Sequence, residues 1–267
     1  MDNVAAKGLV FPERIAIEIP LKDGDGKVIR DEDGEKILVP WHEWRYPAPL
    51  EFYVDFETVN SINDNFADVL QQGGQAMIFQ IGCGWLDPVY GVWVFEQWTA
   101  DRLTEKEEER IIEAWLDRMY EIAAEAGTTF DQCRVCHWSP AEISFLDSAY
   151  NSARARLGKD GIWPNVPWFD LLLLIARRAP LTVKGAMNFG LKSIAKSMFK
   201  HGLIETNWAD GVADGLGAMT GAWWCDAEAE RLGCSMMDIP LMQEIGDYNG
   251  VDVKVMMEIL WWLRDNR

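Results

Sequence analysis

The sequence predicts a mixed α/β domain built on a five-stranded sheet that is flanked by helices. Three observations support this class: an apolar, strand-like run begins near residue 52, two strand patterns follow it at hairpin spacing, and helical and strand patterns alternate afterwards. With 267 residues, 49% of them hydrophobic, the chain can bury a large core. We therefore expect an α/β domain at residues 51–267 and a peripheral β extension at residues 1–50.

The extension combines alternating apolar residues with acidic turns. Ile15, Ile17 and Ile19 share one face of a strand that Pro20 ends, and two Gly-containing turns lead to a second strand at residues 37–40. The acidic turns faintly suggest a calcium loop, but no Glu closes a twelve-residue loop here. We expect a β element without calcium.

The strand that opens the domain, residues 52–58, carries two acids among its apolar residues. Asp55 and Glu57 are two positions apart and therefore project from the same face of the strand. Burying two like charges together is costly unless a cation joins them, and carboxylate oxygens suit a divalent metal. The pattern predicts a pair of metal ligands, and the alternative is an edge strand with two solvated acids.

The remaining elements follow in alternating order. We expect two hairpin strands, a capped helix, a fourth strand, a helix with Ser139 as its cap, a fifth strand, a short basic helix and an apolar closing helix, at residues 77–85, 92–98, 104–126, 134–138, 139 onward, 168–172, 188–199 and 245–267. Residues 61–74 are predicted to be a polar connection. Residues 202–240 show no clear period and are predicted to be an irregular insertion.

The distribution of charge restricts the possible partners. A net charge of −18 excludes a protein that coats nucleic acid through bulk electrostatics, because phosphate would be repelled. The positive charge is concentrated in residues 171–201, which contain no acid and six cations: Arg177, Arg178, Lys184, Lys192, Lys196 and Lys200. A basic strip beside an acidic metal site suits a phosphodiester substrate, and a solvated basic helix face is the alternative.

Targeting and redox signals are weak. The amino end lacks the pattern of a signal peptide, and no apolar run is long enough to cross a bilayer, which predicts a soluble, cytoplasmic protein. Five cysteines, an odd number, predict reduced thiols. The Cys-x-x-Cys-His pattern at residues 133–137 fits haem attachment, but this chemistry requires an export route that the sequence does not show.

The closing helix carries a second acidic pattern. Tyr248 and Asp252 are four residues apart and lie on one helical face, and Glu142 follows the predicted fourth strand. An acid pair on the first strand, an acid after the fourth strand and a Tyr-x-x-x-Asp helix, in this order, resemble the DEDD superfamily of 3′–5′ exonucleases. The resemblance is to the branch with Tyr in its last motif.

Glu142 departs from the usual pattern of this superfamily, which has Asp in the second motif. Asp147 is the alternative third acid, but five residues along a helix place it about 140° away from Glu142. Residues 168–172, residues 189–195 and the Tyr-Asn-x-x-Asp helix are also similar to an uncharacterised bacterial group of predicted nucleases in this superfamily. This likeness covers roughly residues 50–264.

The resemblance implies a ribonuclease H-like fold and hydrolysis of single-stranded DNA or RNA from its 3′ end. It implies two Mg²⁺ or Mn²⁺ ions held by Asp55, Glu57, Glu142 and Asp252, with Tyr248 positioning the attacking water. The expected nucleic-acid contacts are phosphate contacts from the basic strip and base stacking by an aromatic residue, with these candidates: Lys192, Lys196, Arg177, Arg178 and Trp138 or Phe56.

Two other functions fit the same residues. A nuclease-like domain can serve as a binding or assembly module, with a protein partner at residues 1–50 or on the acidic surface. The same metal chemistry also fits a structure-specific endonuclease, because it does not require a free end. We expect no membrane partner.

Overall fold

The computed structural model describes residues 8–60, 76–158, 162–208 and 215–267. The strands are β1 (Val10–Phe11), β2 (Ile17–Pro20), β3 (Leu38–Trp41), β4 (Glu51–Val59), β5 (Met77–Leu86), β6 (Trp93–Thr99), β7 (Arg134–His137), β8 (Trp168–Asp170) and β9 (Thr182–Val183). The α-helices are α1 (Glu105–Glu125), α2 (Ala141–Leu157), α3 (Leu191–Lys200), α4 (Gly215–Leu232) and α5 (Pro240–Asn266). The predicted connection at residues 61–74 lies outside the described residues.

Five strands form the central mixed sheet, in the order β6-β5-β4-β7-β8. Strand β5 runs antiparallel to both β4 and β6, whereas β7 runs parallel to both β4 and β8. The predicted mixed five-stranded sheet with flanking helices is therefore confirmed. Because β4 has a neighbour on each side, the edge-strand alternative for residues 52–58 is wrong.

The central strand β4 separates two cores. Phe52, Val54 and Phe56 project into a core that includes the buried face of α1, where Phe56 packs edge-on against Trp115 at a centroid distance of 5.3 Å. Tyr53 projects into the other core, which contains most of the buried residues of α5. Burial on both faces explains why the apolar residues of β4 are almost continuous.

Glycines bring helix α5 close to the sheet. A Cβ atom on Gly82 of β5 would lie 1.6 Å from Oδ1 of Asn249 in α5, and a Cβ on Gly246 would lie 2.3 Å from Oε1 of Gln97. Side chains at these positions are incompatible with the observed approach of helix and sheet. The close packing places the polar face of α5 directly against β4 and β5.

The amino-terminal residues pack against α5. Strand β2 pairs with β3, and β1 pairs with β9 in a second small sheet. Ile15 and Ile17 are buried in the α5 core, and the Ile15 N–H donates to the carbonyl of Arg267 at 3.2 Å. The carboxylate of Asp23 accepts the backbone N–H groups of Asp25 and Lys27, so it closes its own turn.

The prediction that residues 202–240 are irregular is wrong for most of the described part. Helix α4 occupies Gly215–Leu232, and a short 3₁₀ turn follows at Met236–Asp238. The buried stripe of α4 consists of small residues at helical spacing: Ala218, Ala222, Cys225 and Ala229. The pattern was missed because the large residues Trp223 and Trp224 lie on the outer side, which hides the apolar period.

All five cysteines are free thiols, as predicted. Among the helices in the described ranges, none has the length and apolar character needed to cross a bilayer.

Candidate metal centre and cleft

Three carboxylates from two elements converge at the centre of the molecule. Asp55 and Glu57 project from β4, Asp252 projects from α5, and one oxygen of each lies within 4.8 Å of the others. Glu57 and Asp252 are buried, whereas Asp55 is partly exposed. The prediction that Asp55 and Glu57 lie side by side is confirmed. We call this set the acidic triad, and it could hold a metal ion.

The electrostatics of the acidic triad disfavour three negative charges. Burial, together with repulsion from Asp252, raises the pKa of Asp55 well above its usual range. Burial and the same neighbour raise the pKa of Glu57 to about 7. Burial also raises the pKa of Asp252 to about 7, although Lys192 opposes that shift. A bound cation would relieve this repulsion, because it favours the charged form of each carboxylate.

Asn249 fixes one member of the acidic triad, and the sequence analysis assigned it no role. Its Nδ2 donates to Oδ2 of Asp55 at 2.9 Å and to the Asp55 carbonyl at 3.3 Å. Two buried oxygens here have no hydrogen-bond partner: Oδ1 of Asn249 and Oδ1 of Asp252. The available signal in the sequence was an Asn one helical turn before Asp252, but the contact of Asn249 with Asp55 depends on the space above Gly82.

A cleft of about 430 Å³ opens beside the triad. Its walls come from β4, from the start of α2 and from the loop that leads into α3, and its lining includes these residues: Asp55, Phe56, Glu57, Trp138, Ser139, Glu142, Asn188, Gly190, Leu191, Lys192, Ser193 and Asp252. The charged residues of this lining are four acids and Lys192, which lies at the start of α3. The cleft therefore offers carboxylates to a cation and the positive charge of Lys192 to an anion.

Glu142 lies in the same cleft but outside the triad. Its Oε2 is 3.3 Å from Nδ1 of the buried His137 and 3.4 Å from Oγ of Ser139, which fixes the carboxylate at the start of α2. Its negative charge contributes to the raised pKa of Asp55, after burial and the nearer acids. The alternative acid Asp147 is exposed and does not line the cleft, so the structure favours Glu142.

Lys192 and Tyr248 form the cationic side of the site. The Nζ atom of Lys192 lies 4.5 Å from the centroid of the Tyr248 ring. Burial opposes the charge of Lys192, but Asp252 and a hydrogen bond with Tyr248 outweigh it and raise the pKa of Lys192. Burial raises the pKa of Tyr248, so its phenol stays protonated at neutral pH. Lys192 is thus a permanent positive charge beside the acidic triad.

Other predicted nucleic-acid contacts are placed differently. Arg177 and Arg178 are exposed and do not line the cleft, and Nη1 of Arg178 donates to the carbonyl of Glu18 in β2. The expectation that these two residues reach the substrate phosphates at the acids is not supported. Lys196 lies closer: its Nζ is 5.8 Å from the centroid of the Trp208 ring, and its charge opposes the burial that raises the pKa of Asp252.

The predicted stacking residues are part of the cleft wall. Trp138 is only 7% exposed, and its indole N–H donates to the carbonyl of Phe189 at 2.9 Å. Phe56 is only 6% exposed and belongs to the core beneath the sheet. Neither ring presents a free face on which a base could stack, because both are packed on most sides.

Comparison with protein-family models, with curated proteins and with solved structures finds no match to this chain.

Proposed function

We propose that this chain is a metal-dependent 3′–5′ exonuclease that hydrolyses phosphodiester bonds at single-stranded nucleic acid ends. The observation that carries the proposal is the acidic triad: Asp55, Glu57 and Asp252 meet within 4.8 Å, and each lines an open cleft. The mixed sheet with flanking helices is compatible with the ribonuclease H-like fold that such enzymes have.

The donor set fits a hard divalent cation. All members of the triad offer carboxylate oxygens, which suit Mg²⁺ and Mn²⁺, and Oδ1 of Asp252 is buried without a partner. Glu142 is the fourth carboxylate of the proposed set, on the α2 side of the same cleft. When bound, two such ions activate water and stabilise the leaving oxygen of a phosphodiester.

The surrounding residues orient the reacting groups. Asn249 holds the Asp55 carboxylate through the 2.9 Å hydrogen bond, and His137 with Ser139 holds that of Glu142. Lys192 places a positive charge where a phosphate enters, and the phenol of Tyr248 is held beside it to position water. A cleft of about 430 Å³ is near the lower end of the range for small-ligand sites, which favours a terminal nucleotide over a duplex.

Nuclease assays on labelled substrates test this proposal. Single- and double-stranded DNA and RNA with a 5′ label are incubated with the protein in Mg²⁺, Mn²⁺ or EDTA. We expect products that shorten from the 3′ end of single strands, only with metal. Internal cuts would instead identify an endonuclease, and no cleavage with retained binding would identify a binding module.

A matched pair of variants assigns the activity to this cleft. Asp252→Asn removes one carboxylate of the acidic triad, and Asp147→Asn removes an exposed carboxylate of α2 that does not line the cleft. We expect Asp252→Asn to abolish cleavage and Asp147→Asn to retain it. Equal activities would show that another part of the preparation cleaves the substrate.

A further inference from the structure

We propose that the amino end of helix α3 is an anion subsite that binds a phosphate group of the substrate, in the cleft that contains the acidic triad. This inference rests on the proposed function and specifies how its substrate is held. The ligand class is a phosphate monoester or diester, and the binding groups are backbone N–H groups together with the side chain of Lys192.

The start of α3 offers backbone donors. The first bond within the helix runs from the N–H of Ile194 to the carbonyl of Gly190, at 3.1 Å. The N–H groups of residues 191–193 precede this bond and therefore have no acceptor inside the helix. The cap residue is Gly190, and no side chain caps the helix. These donors and the positive end of the helix dipole together attract an anion.

The loop before α3 leaves this end of the helix open. Ser193 Oγ accepts the N–H of Met187 at 2.9 Å, and Asn188 Oδ1 accepts the N–H of Gly190 at 2.8 Å. Both side-chain oxygens therefore support the loop and do not cap the helix. Asn188, Gly190 and residues 191–193 all line the cleft that contains the acidic triad.

The buried carboxylate of Asp252 provides an independent indication of a ligand. Asp252 is only 4% exposed, lines the same cleft, and its Oδ1 has no hydrogen-bond partner. A divalent cation would satisfy this oxygen, and such a cation in an open cleft takes its remaining ligands from the substrate. The oxygens of a phosphate can contact such a cation and the α3 donors together.

Lys192 supplies a positive charge both to the start of α3 and to the acidic triad. It is the second residue of α3, and its charge acts on both Glu57 and Asp252. A phosphate between the α3 donors and the acidic triad would therefore meet a positive side chain as well as backbone N–H groups. Phosphate contacts of this kind fix the register of a strand without reading its sequence, which suits an enzyme that removes successive nucleotides.

Inorganic phosphate is the probe, because it carries the anion without the base. Its binding is measured by thermal unfolding in Mg²⁺ and in EDTA, and its inhibition of nuclease activity is measured in Mg²⁺. We expect phosphate to raise the melting temperature and to inhibit cleavage when Mg²⁺ is present. A wild-type protein that shows neither effect would overturn the subsite.

Substitutions at the cap residue test the location. Gly190→Asp places a carboxylate at the N-cap, where it accepts the same N–H groups and repels phosphate, while it keeps the helix capped. Gly190→Ala is the matched control, since both variants add a Cβ that would lie 3.0 Å from Oδ1 of Asn188. We expect phosphate binding to weaken at least tenfold in Gly190→Asp relative to Gly190→Ala.

A second pair of variants tests the side chain. Lys192→Gln removes the cation in the cleft, and Lys200→Gln removes an exposed cation at the other end of the same helix. We expect phosphate affinity and KM for the nucleic acid to weaken in Lys192→Gln and to stay unchanged in Lys200→Gln. If Gly190→Asp does not fold, this pair decides alone, and equal phosphate affinities overturn the proposal.

The outcomes separate the subsite from the proposed function. Phosphate binding that Gly190→Asp abolishes, in a protein that cleaves no nucleic acid, would support the subsite and reject the nuclease. Normal cleavage by Gly190→Asp, with unchanged KM and unchanged phosphate inhibition, would reject the subsite and leave the nuclease intact.

Discussion

Both ends of strand β4 carry buried carboxylates, but among the described residues only the one at the start of the strand is paired with arginine. At the start of the strand, Glu51 accepts two hydrogen bonds of 2.7 Å from Arg264 and one of 2.8 Å from Arg134. Further along, Asp55 and Glu57 face Asp252, and no arginine forms an ion pair with these three in the described part of the chain.

The difference separates a structural site from a candidate functional site. Glu51 is neutralised by side chains of the fold, and a bidentate Arg–carboxylate pair leaves it no capacity for a metal. The acidic triad has Lys192 beside it but keeps unpartnered oxygen in a cleft. The acidic triad is therefore where we place the proposed ligand, and Glu51 is part of the structural framework.

The largest expected effect is the loss of activity in Asp55→Asn. A metal ligand contributes several kcal/mol of charge stabilisation in the transition state, so we expect kcat to fall about a thousandfold or more. Asn is nearly isosteric and removes like-charge repulsion, so the melting temperature in EDTA should stay equal or rise. Cleavage at the wild-type rate, measured on a labelled single strand, would contradict the assignment of Asp55 to the functional site.

Arg264→Met should have the opposite effect, lower stability with unchanged activity, because Arg264 pairs with Glu51 at the start of β4. It leaves the buried Glu51 with one arginine, and breaking a buried pair costs about 3–5 kcal/mol, which urea unfolding measures. Arg231→Met is the control, because Arg231 pairs with Glu228 on the surface and its loss should leave the free energy of unfolding nearly unchanged. The folded fraction of Arg264→Met should retain the wild-type kcat, and a selective loss of kcat would contradict the structural role.

The raised pKa values in the acidic triad predict that the free energy of unfolding decreases with rising pH in the absence of metal. The pKa of Glu57 is raised from 4.5 to about 7, so folded protein holds a proton that the unfolded chain releases. Stability from this group is present below pH 4.5 and is lost as the pH rises through 7, by about 3 kcal/mol in total. Asp252 shifts in the same direction, so the losses overlap.

Thermal unfolding in EDTA between pH 5 and pH 8 measures this loss, and Glu57→Gln serves as the reference because it removes the titrating carboxylate. Glu108, whose pKa burial also raises to about 7, contributes equally to both proteins and cancels in the difference. Mg²⁺ should restore stability most at high pH, since its ligands must be deprotonated. A wild-type curve parallel to that of Glu57→Gln would contradict the raised pKa of Glu57.

The sequence predicted those parts of the site that depend on local periodicity. The two-residue spacing on β4 placed Asp55 and Glu57 on one face of the strand, and the four-residue spacing on α5 placed Tyr248 and Asp252 on one face of the helix, because each period fixes a face within one element. The position of Glu142 at the start of a helix was also correct. These predictions required no knowledge of how distant elements pack.

The parts that failed depend on packing between elements. Arg177 and Lys192 belong to one basic segment in the sequence, but Arg177 is exposed at the end of the π-helical turn Leu172–Arg177 and does not line the cleft, whereas Lys192 does. Helix α4 was missed because its buried stripe is made of small residues. Asn249 received no role because its contact with Asp55 requires a glycine from another strand, Gly82, at the same point.

The smallest effect that we predict is that of Gly82→Ala. This substitution tests whether the packing of α5 on the sheet orients Asp55. In Gly82→Ala the new Cβ would lie 1.6 Å from Oδ1 of Asn249, so the Asn249 side chain must move away from Asp55. We expect a loss of about 1–3 kcal/mol in stability from overpacking and a decrease of about 10–100-fold in Mg²⁺ affinity. Gly24→Ala is the control, since a Cβ there meets nothing within 4 Å.

A double variant distinguishes the clash from the lost hydrogen bond. Adding Asn249→Ala to Gly82→Ala removes the atom that the new Cβ meets, so part of the lost stability should return. The hydrogen bond to Asp55 is absent in the double variant as well, so Mg²⁺ affinity should stay low. If affinity recovered together with stability, Asn249 would only fill space, and the orientation of Asp55 would depend on the backbone of β4 alone.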